Sequence, residues 1–181
     1  MMLVLPIVVS AVAVFLVSGF LHMATPWHRG DFKKLPNEDA LADALRPVLP
    51  PPGDYLIPAQ PGGRAEARAS GFAEKYRRGP VMVFTVLPPG ETAMTRPLAL
   101  WFVYVLAVSA LAALVAGPVA PHYPPSILHL TAMAAFLAYA AALWQQTIWF
   151  RRSWVVALKS TLDAVLYGLI TGCVFVWLWP R

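Results

Sequence analysis

Four long apolar stretches restrict the fold of this 181-residue chain more than any other feature of its sequence. A bilayer core is about 30 Å thick, so a spanning α-helix needs about 20 mostly apolar residues. Only 13% of the residues are charged, against roughly 25% in a typical soluble domain. The sequence therefore predicts an all-α membrane protein with four transmembrane helices, at residues 1–24, 97–117, 126–150 and 154–179.

The first apolar stretch has two interpretations, a membrane anchor or a cleaved signal peptide. A signal peptide has a basic start, a short apolar centre and a cleavage site with small residues. This chain begins Met-Met-Leu-Val-Leu, its apolar run is long, and His22-Met23-Ala24 is a poor cleavage site. We therefore expect an uncleaved anchor.

The distribution of Lys and Arg predicts the orientation of the helices, because the cytoplasmic loops of membrane proteins are enriched in these residues. Ten of the fourteen Lys and Arg residues lie between residues 22 and 96, and Arg151 and Arg152 lie in the short loop 151–154. The loop 118–125 has none. We expect residues 25–96 and 151–154 in the cytoplasm and both termini outside, including Arg181.

Residues 25–96 differ in composition from the helices on either side. Eight of the nine Asp and Glu residues and eleven of the eighteen prolines lie between residues 22 and 96. Such a segment is too short and too proline-rich for a large core, so we predict a small mixed cytoplasmic cap between helices 1 and 2. Within it we expect a short amphipathic helix capped by Asn37 and a two-stranded pairing of residues 55–57 with 83–85.

Charge balance and residue types argue against several classes of function. The basic residues of the cap are nearly balanced by acidic ones, so they indicate lipid headgroups rather than nucleic acid as partner. The lone Cys173 excludes a disulfide framework. His22 and His129 lie near opposite faces of the predicted bundle and cannot share a haem, and a site from His22 and His28 would need a carboxylate such as Asp31. With no known catalytic motif present, we expect no catalytic site, metal or cofactor.

The fourth helix carries a polar stripe in an otherwise apolar sequence. Lys159, Asp163, Tyr167 and Thr171 are spaced four residues apart and so share one helix face. Asp163 lies about 12 Å inside the membrane at 1.5 Å per residue, and an ionisable residue at such a depth indicates function by default. We expect Lys159 to pair with it and Tyr167 to donate a hydrogen bond. The stripe is either a proton or ion site or, as we favour, a structural ion pair.

Two further motifs adjoin the membrane. Gly168 and Gly172 have the spacing that permits close approach of helices, within the bundle or with a partner. His28, Arg29 and Asp31 follow the first helix and form a candidate interfacial site. Because a catalytic interpretation would need a second cluster on the same face, we favour a solvated loop for these three residues.

Several strings resemble an uncharacterised family of small bacterial four-helix inner-membrane proteins. They are His22-Met23, Trp27-His28-Arg29-Gly30-Asp31, Lys34-Leu35-Pro36-Asn37-Glu38-Asp39-Ala40, Pro52-Gly53-Asp54-Tyr55, Ile148-Trp149, Arg152-Ser153-Trp154 and Trp179-Pro180-Arg181, with Lys159 and Asp163. The resemblance covers nearly the whole chain. It implies a location in the bacterial inner membrane and no particular activity.

Three hypotheses for function follow from the sequence. The leading one is a non-catalytic accessory or assembly subunit of a larger membrane complex, with other membrane subunits and the bilayer as partners. The second is a small transporter or proton-coupled channel that uses Lys159 and Asp163, which requires a hydrated path to Asp163. The third is a membrane enzyme with a cytoplasmic interfacial site around His28, Arg29 and Asp31.

Overall fold

The computed structural model describes residues 3–90, 93–120 and 122–180, so the orientation marker Arg181 and the first two residues lie outside the described part. In chain order the elements are α1 (Val4–Gly19), a π-helical turn (Phe20–Ala24), α2 (Glu38–Leu45), β1 (Gly53–Ile57), α3 (Arg64–Ala69), α4 (Phe72–Arg78), β2 (Met82–Val86), α5 (Thr95–Ala116), α6 (Ser126–Phe150) and α7 (Trp154–Leu178). The fold is predominantly helical.

Four helices are long and apolar enough to cross a membrane. They are α1 with its π-helical turn, α5, α6 and α7, with lengths of 21, 22, 25 and 25 residues. Each begins and ends close to a boundary that hydropathy predicts, because the flanking prolines, glycines and arginines interrupt the apolar sequence. These helices are compatible with a multi-pass membrane protein.

Small residues bring the four helices together. Helix α1 packs against α5 and α7, and α6 packs against the same two helices. Ala11, Ala135 and Ala164 are fully buried in the core that they share. A Cβ atom added to Gly168 would lie 2.7 Å from the carbonyl oxygen of Ala132 on α6, so the glycine spacing of α7 serves close packing inside the bundle.

The chain forms two compact units, one of Met1–Lys33 with Ala93–Arg181 and one of Lys34–Thr92. In the second unit β1 and β2 pair antiparallel, with Tyr55 opposite Phe84, which confirms the predicted strand pairing. Helix α2 follows Asn37 as expected, although the Asn37 side chain makes no capping hydrogen bond. Gly71 separates α3 from α4 with a φ of 61°, a left-handed conformation that favours glycine.

Candidate functional site

The end of α1 presents His22 from an unusual helical turn. Residues Phe20–Ala24 are π-helical, and such turns are frequent at functional sites. The ring nitrogen Nδ1 of His22 donates to the carbonyl of Ser18 (2.9 Å), and Thr25 Oγ1 donates to the carbonyl of Leu21 (2.6 Å). These side chains satisfy carbonyls near the helix end. Because Nδ1 is engaged, Nε2 of His22 is available to another group.

The segment after Pro26 folds back onto α7 instead of leaving the bundle. The N–H of Arg29 donates to the carbonyl of Pro26 (3.2 Å), and the N–H of Asp31 donates to the carbonyl of His28 (3.1 Å). These two turns carry Trp27, His28 and Asp31 to α7.

The side chains of this loop and of α7 form a continuous chain of polar contacts. Asp163 accepts a hydrogen bond from Trp27 Nε1 on Oδ1 (3.0 Å), and its Oδ2 lies 2.8 Å from Nε2 of His28. The other ring nitrogen of His28, Nδ1, lies 2.6 Å from Oδ2 of Asp31. Lys159 Nζ donates to Asp31 Oδ1 (2.9 Å) and to the carbonyl of Trp27 (2.7 Å).

The ring of His22 stacks on that of His28, with centroids 4.0 Å apart and planes within 9° of parallel. We call His22, His28, Asp31, Lys159 and Asp163 the interfacial cluster. Asp163, His28 and Asp31 have side chains that are only 8%, 10% and 11% exposed. Charges at such positions need partners, because removal from water is costly.

Apart from its histidines, the interfacial cluster has two acidic side chains and one basic side chain. Desolvation raises the pKa of Asp31, but its hydrogen bonds and charge interactions with His28 and Lys159 outweigh this effect, so the pKa lies below its usual range. Lys159 pairs with one carboxylate, that of Asp31, and His28 lies between the carboxylates of Asp31 and Asp163.

A cavity of about 350 Å³ adjoins the interfacial cluster. Its walls are the aromatic side chains of Trp101, Tyr104, Tyr139 and Tyr167 together with Leu143 and Ser160, and it reaches His22 and Asp163. The hydroxyls of Tyr139 and Tyr167 are buried and have no hydrogen-bond partner within the described part of the chain. Buried polar groups are ordinarily satisfied, so these two hydroxyls are exceptions within the described part of the chain.

The structure corrects the predicted pairing along the polar stripe. Lys159 pairs with Asp31, and Asp163 contacts His28 and Trp27, so the expected Lys159–Asp163 ion pair is wrong. The reason is that the loop supplies both partners, and the long lysine side chain extends toward it. Tyr167 is not the expected donor to Asp163, since its hydroxyl has no partner among the described residues.

Two other residues of the predicted sites, Thr171 and Arg29, do not join the interfacial cluster. Thr171 is buried and donates to the carbonyl of Tyr167 within its own helix, so it lies outside the cluster. Arg29 is exposed and, among the described residues, takes no part in the side-chain hydrogen bonds of the cluster. The solvated-loop expectation is wrong for His28 and Asp31, because both side chains are largely buried against α7. The interfacial site and the polar stripe are thus one site.

Sequence reasoning considered His22 together with His28 but missed Trp27 and the carboxylate that completes the ligand set, Asp163. Ligand atoms of His22, His28 and Asp163 all lie within 4.8 Å of one another and form a group that could hold a metal ion. The carboxylate in this group is Asp163, whereas the sequence pointed to Asp31. His28 and Asp163 are 135 positions apart, so their spacing in the sequence does not indicate a contact. The one available signal is that a buried carboxylate such as Asp163 needs hydrogen-bond donors.

No protein-family model, curated protein or solved structure matches this chain. The resemblance to an uncharacterised family of small bacterial membrane proteins stays a prediction. Function is therefore inferred from the geometry and chemistry of the interfacial cluster and its cavity.

Proposed function

We propose that the chain is a small multi-pass membrane carrier for a cation, with the interfacial cluster and the adjoining cavity as its binding site. The observation that carries this proposal is that the buried carboxylate of Asp163 lines a cavity of about 350 Å³ between the helices. A transport function requires access to Asp163, and a tightly packed surround would have argued against it.

The charge of the interfacial cluster favours a cationic guest. Its two carboxylates, Asp31 and Asp163, lie at the end of an apolar bundle, where a charge needs compensation. His28 and Lys159 contact them in the structure, and a cation bound between His28 and Asp163 would compensate the carboxylate of Asp163 in the same way. Aromatic faces also attract cations through their quadrupoles, and Trp101, Tyr104, Tyr139 and Tyr167 supply four such rings to the cavity.

Buried hydroxyl groups also occur in residues that line the cavity and deeper in the bundle. Tyr139 and Tyr167 line the cavity, and their buried hydroxyls have no hydrogen-bond partner among the described residues. Deeper in the bundle, Ser109 of α5 donates to Ser10 of α1 (3.3 Å), and both are fully buried. This pair holds α1 and α5 together inside the bundle.

The proposed orientation places the cavity at the cytoplasmic face of the bacterial inner membrane. It follows from the Lys and Arg bias of the short loops, above all Arg151 and Arg152. Both termini then face outside, and residues 25–96 and 151–154 face the cytoplasm. The cation would enter or leave on the cytoplasmic side.

The accessory-subunit hypothesis stays open to test but loses one of its arguments. Gly168 and Gly172 lie against Ala132 and Leu128 of α6, so this spacing is used within the bundle and does not point to a partner. The enzyme hypothesis relied on His28 and Asp31, which belong to the interfacial cluster. We therefore place cation transport first.

Electrophysiology on a solid-supported membrane tests the proposed function. Proteoliposomes containing the full chain are exposed to concentration jumps of Na⁺, K⁺, NH₄⁺, Mg²⁺ and Zn²⁺, and displaced charge is recorded. At least one cation should give a protein-dependent current. Asp163→Asn should abolish it, because the amide keeps the size of the side chain but not its charge, and His22→Gln should reduce it.

His129→Gln is the matched control, because His129 makes the same kind of ring-to-carbonyl bond, to Pro125 four residues earlier (3.1 Å), but on α6 away from the cluster. It should leave the current unchanged. Monodisperse elution of each variant in detergent establishes that it is folded. The proposal is rejected if no cation produces a current above protein-free liposomes, or if the folded His22→Gln and Asp163→Asn variants both conduct like the parent chain.

A further inference from the structure

We infer that the cation is a divalent transition metal ion of the zinc class, bound by Nε2 of His22, Nε2 of His28 and a carboxylate oxygen of Asp163. The inference rests on the proposed function in one respect, since it names the class of cation that the carrier site takes. The binding site itself is argued from ligand chemistry and can be tested without transport.

The spacing of the three donor groups suits one metal ion. Zinc binds imidazole nitrogen and carboxylate oxygen at about 2.0–2.2 Å, so its ligand atoms lie roughly 3.3 Å apart in a tetrahedron. Nε2 of His28 and Oδ2 of Asp163 are 2.8 Å apart, and the whole set lies within 4.8 Å. One separation is slightly shorter than the required value, and none exceeds it by more than about 1.5 Å. A metal ion between His28 and Asp163 replaces the hydrogen bond between them.

Both histidines have the outer contacts that metal-ligating histidines require. A ligand histidine almost always donates its other ring N–H to a carboxylate or a backbone carbonyl, which fixes the ring. Nδ1 of His28 contacts Asp31 (2.6 Å), and Nδ1 of His22 contacts the carbonyl of Ser18 (2.9 Å). Lys159 holds the second oxygen of Asp31 (2.9 Å). Nε2 of His22 is thereby left free. Because the two rings are stacked in parallel planes and imidazole binds a metal in its own plane, the exposed ring of His22 must turn out of the stack to share a metal with His28.

The ligand set leaves a coordination position open, as a site that exchanges its metal needs. Closed structural zinc sites have four protein ligands, whereas three ligands leave room for water or another group. The cavity next to His22 and Asp163 is wide enough for water at that position. His22 is also exposed, so the metal can enter and leave past its ring.

The ligand types also predict which cations the site rejects. Two imidazoles and one carboxylate suit zinc, cobalt and other first-row transition metals, while Mg²⁺ and Ca²⁺ prefer oxygen ligands alone. The competing interpretation is a charged His28 that bridges Asp31 and Asp163 as a structural link. In that case a metal gains nothing at this position.

Cobalt binding to the purified full chain separates the two interpretations. The protein in detergent is treated with a chelator, freed of it and titrated with Co²⁺, whose visible ligand-field absorption reports coordination by protein nitrogen and oxygen. We expect one Co²⁺ per chain in a tetrahedral or five-coordinate environment, displaced by Zn²⁺ and not by excess Mg²⁺.

Two variants of the site and one control define the ligands. His22→Gln should raise the Co²⁺ dissociation constant by at least about tenfold, and Asp31→Asn, which removes an outer contact, by about 10- to 100-fold. His22 is exposed and Asp31 lies in a loop, and monodisperse elution in detergent establishes that each variant is folded. His129→Gln, which has an equivalent ring contact elsewhere, should leave binding unchanged.

The inference is overturned if the folded parent chain shows no ligand-field absorption with Co²⁺, or if His22→Gln binds Co²⁺ as tightly as the parent. Its failure is distinguishable from failure of the proposed function. A current with another cation but no cobalt binding would refute only the metal site. Cobalt binding without a current would support the metal site and refute transport.

Discussion

Replacing Gly168 by alanine tests the packing of α7 on α6, which positions Asp163 next to the cavity. A Cβ atom at residue 168 would lie 2.7 Å from the carbonyl oxygen of Ala132 and 3.3 Å from Cβ of Phe136. Contacts of a Cβ atom below 3.0 Å are essentially never observed. The carbonyl belongs to the backbone of a helix and cannot rotate away, so the two helices must move apart.

The expected cost combines two opposing effects. Overpacking of a well-packed site costs about 1–3 kcal/mol, whereas Gly→Ala at a compatible helical position stabilises by about 0.4–1 kcal/mol through the unfolded chain. Gly168→Ala should therefore lower the free energy of unfolding by roughly 1–2 kcal/mol. Gly19→Ala is the matched control, because its nearest neighbour is the flexible methyl end of Met23 at 3.3 Å, and it should be neutral or stabilising.

Reversible unfolding of the purified chain in mixed micelles, by titration with sodium dodecyl sulfate, measures both variants against the parent. Gly168→Ala should lower stability and Gly19→Ala should not, although both exchange a helical glycine for alanine. If Gly168→Ala is as stable as Gly19→Ala, the close approach of α6 and α7 is incorrect.

Two further predictions address the bundle and its orientation. Trp101→Phe removes the hydrogen bond from Trp101 Nε1 to Ser18 Oγ (2.8 Å) and should cost about 1 kcal/mol in the same unfolding assay; an unchanged stability would show that this bond contributes nothing. In a Cys173→Ser background, a membrane-impermeant maleimide applied to intact cells should label Tyr123→Cys but not Gln60→Cys until the cells are permeabilised. The opposite pattern would reverse the proposed orientation.

Hydropathy was sufficient to predict the long helices because the requirement for them is local. Each run must satisfy its own backbone hydrogen bonds and be apolar over the thickness of a bilayer. The boundaries at Ser126, Phe150 and Trp154 coincide with prolines and arginines that the sequence shows directly. The strand pairing near Tyr55 was equally accessible, because two short β-rich segments have few alternative partners.

The partner of Asp163 could not be predicted in the same way, because it depends on the path of a loop. Spacing along α7 favoured Lys159, its neighbour one turn earlier. A helix neighbour is only one source of donors, and the returning segment after Pro26 supplies two, Trp27 Nε1 and His28 Nε2. The turns that direct this segment are held by backbone hydrogen bonds. Almost any residue type can make such bonds, so the sequence gives little indication of them.

The π-helical turn links this loop to the cluster. It ends α1 and sets the direction in which the chain leaves, while the ring of His22 lies against that of His28 at 4.0 Å. A regular α-helix would place His22 at a different angle around the axis, since a π turn accommodates an extra residue. The geometry that stacks the two histidines thus arises from local backbone irregularity rather than from spacing.

Asp163 and the loop residues each supply the polar partners that the other needs. A carboxylate one-third of the way along a membrane helix is costly unless several donors reach it, and a loop carrying Trp, His and Asp beside a membrane is unremarkable unless it has something to bind. Taken alone, the carboxylate favours a structural ion pair, and the loop favours a solvated segment without a site. Brought within 2.8 Å of each other, the two form a site with two imidazoles, two carboxylates and a cavity, and such a combination is more than stability of the bundle requires.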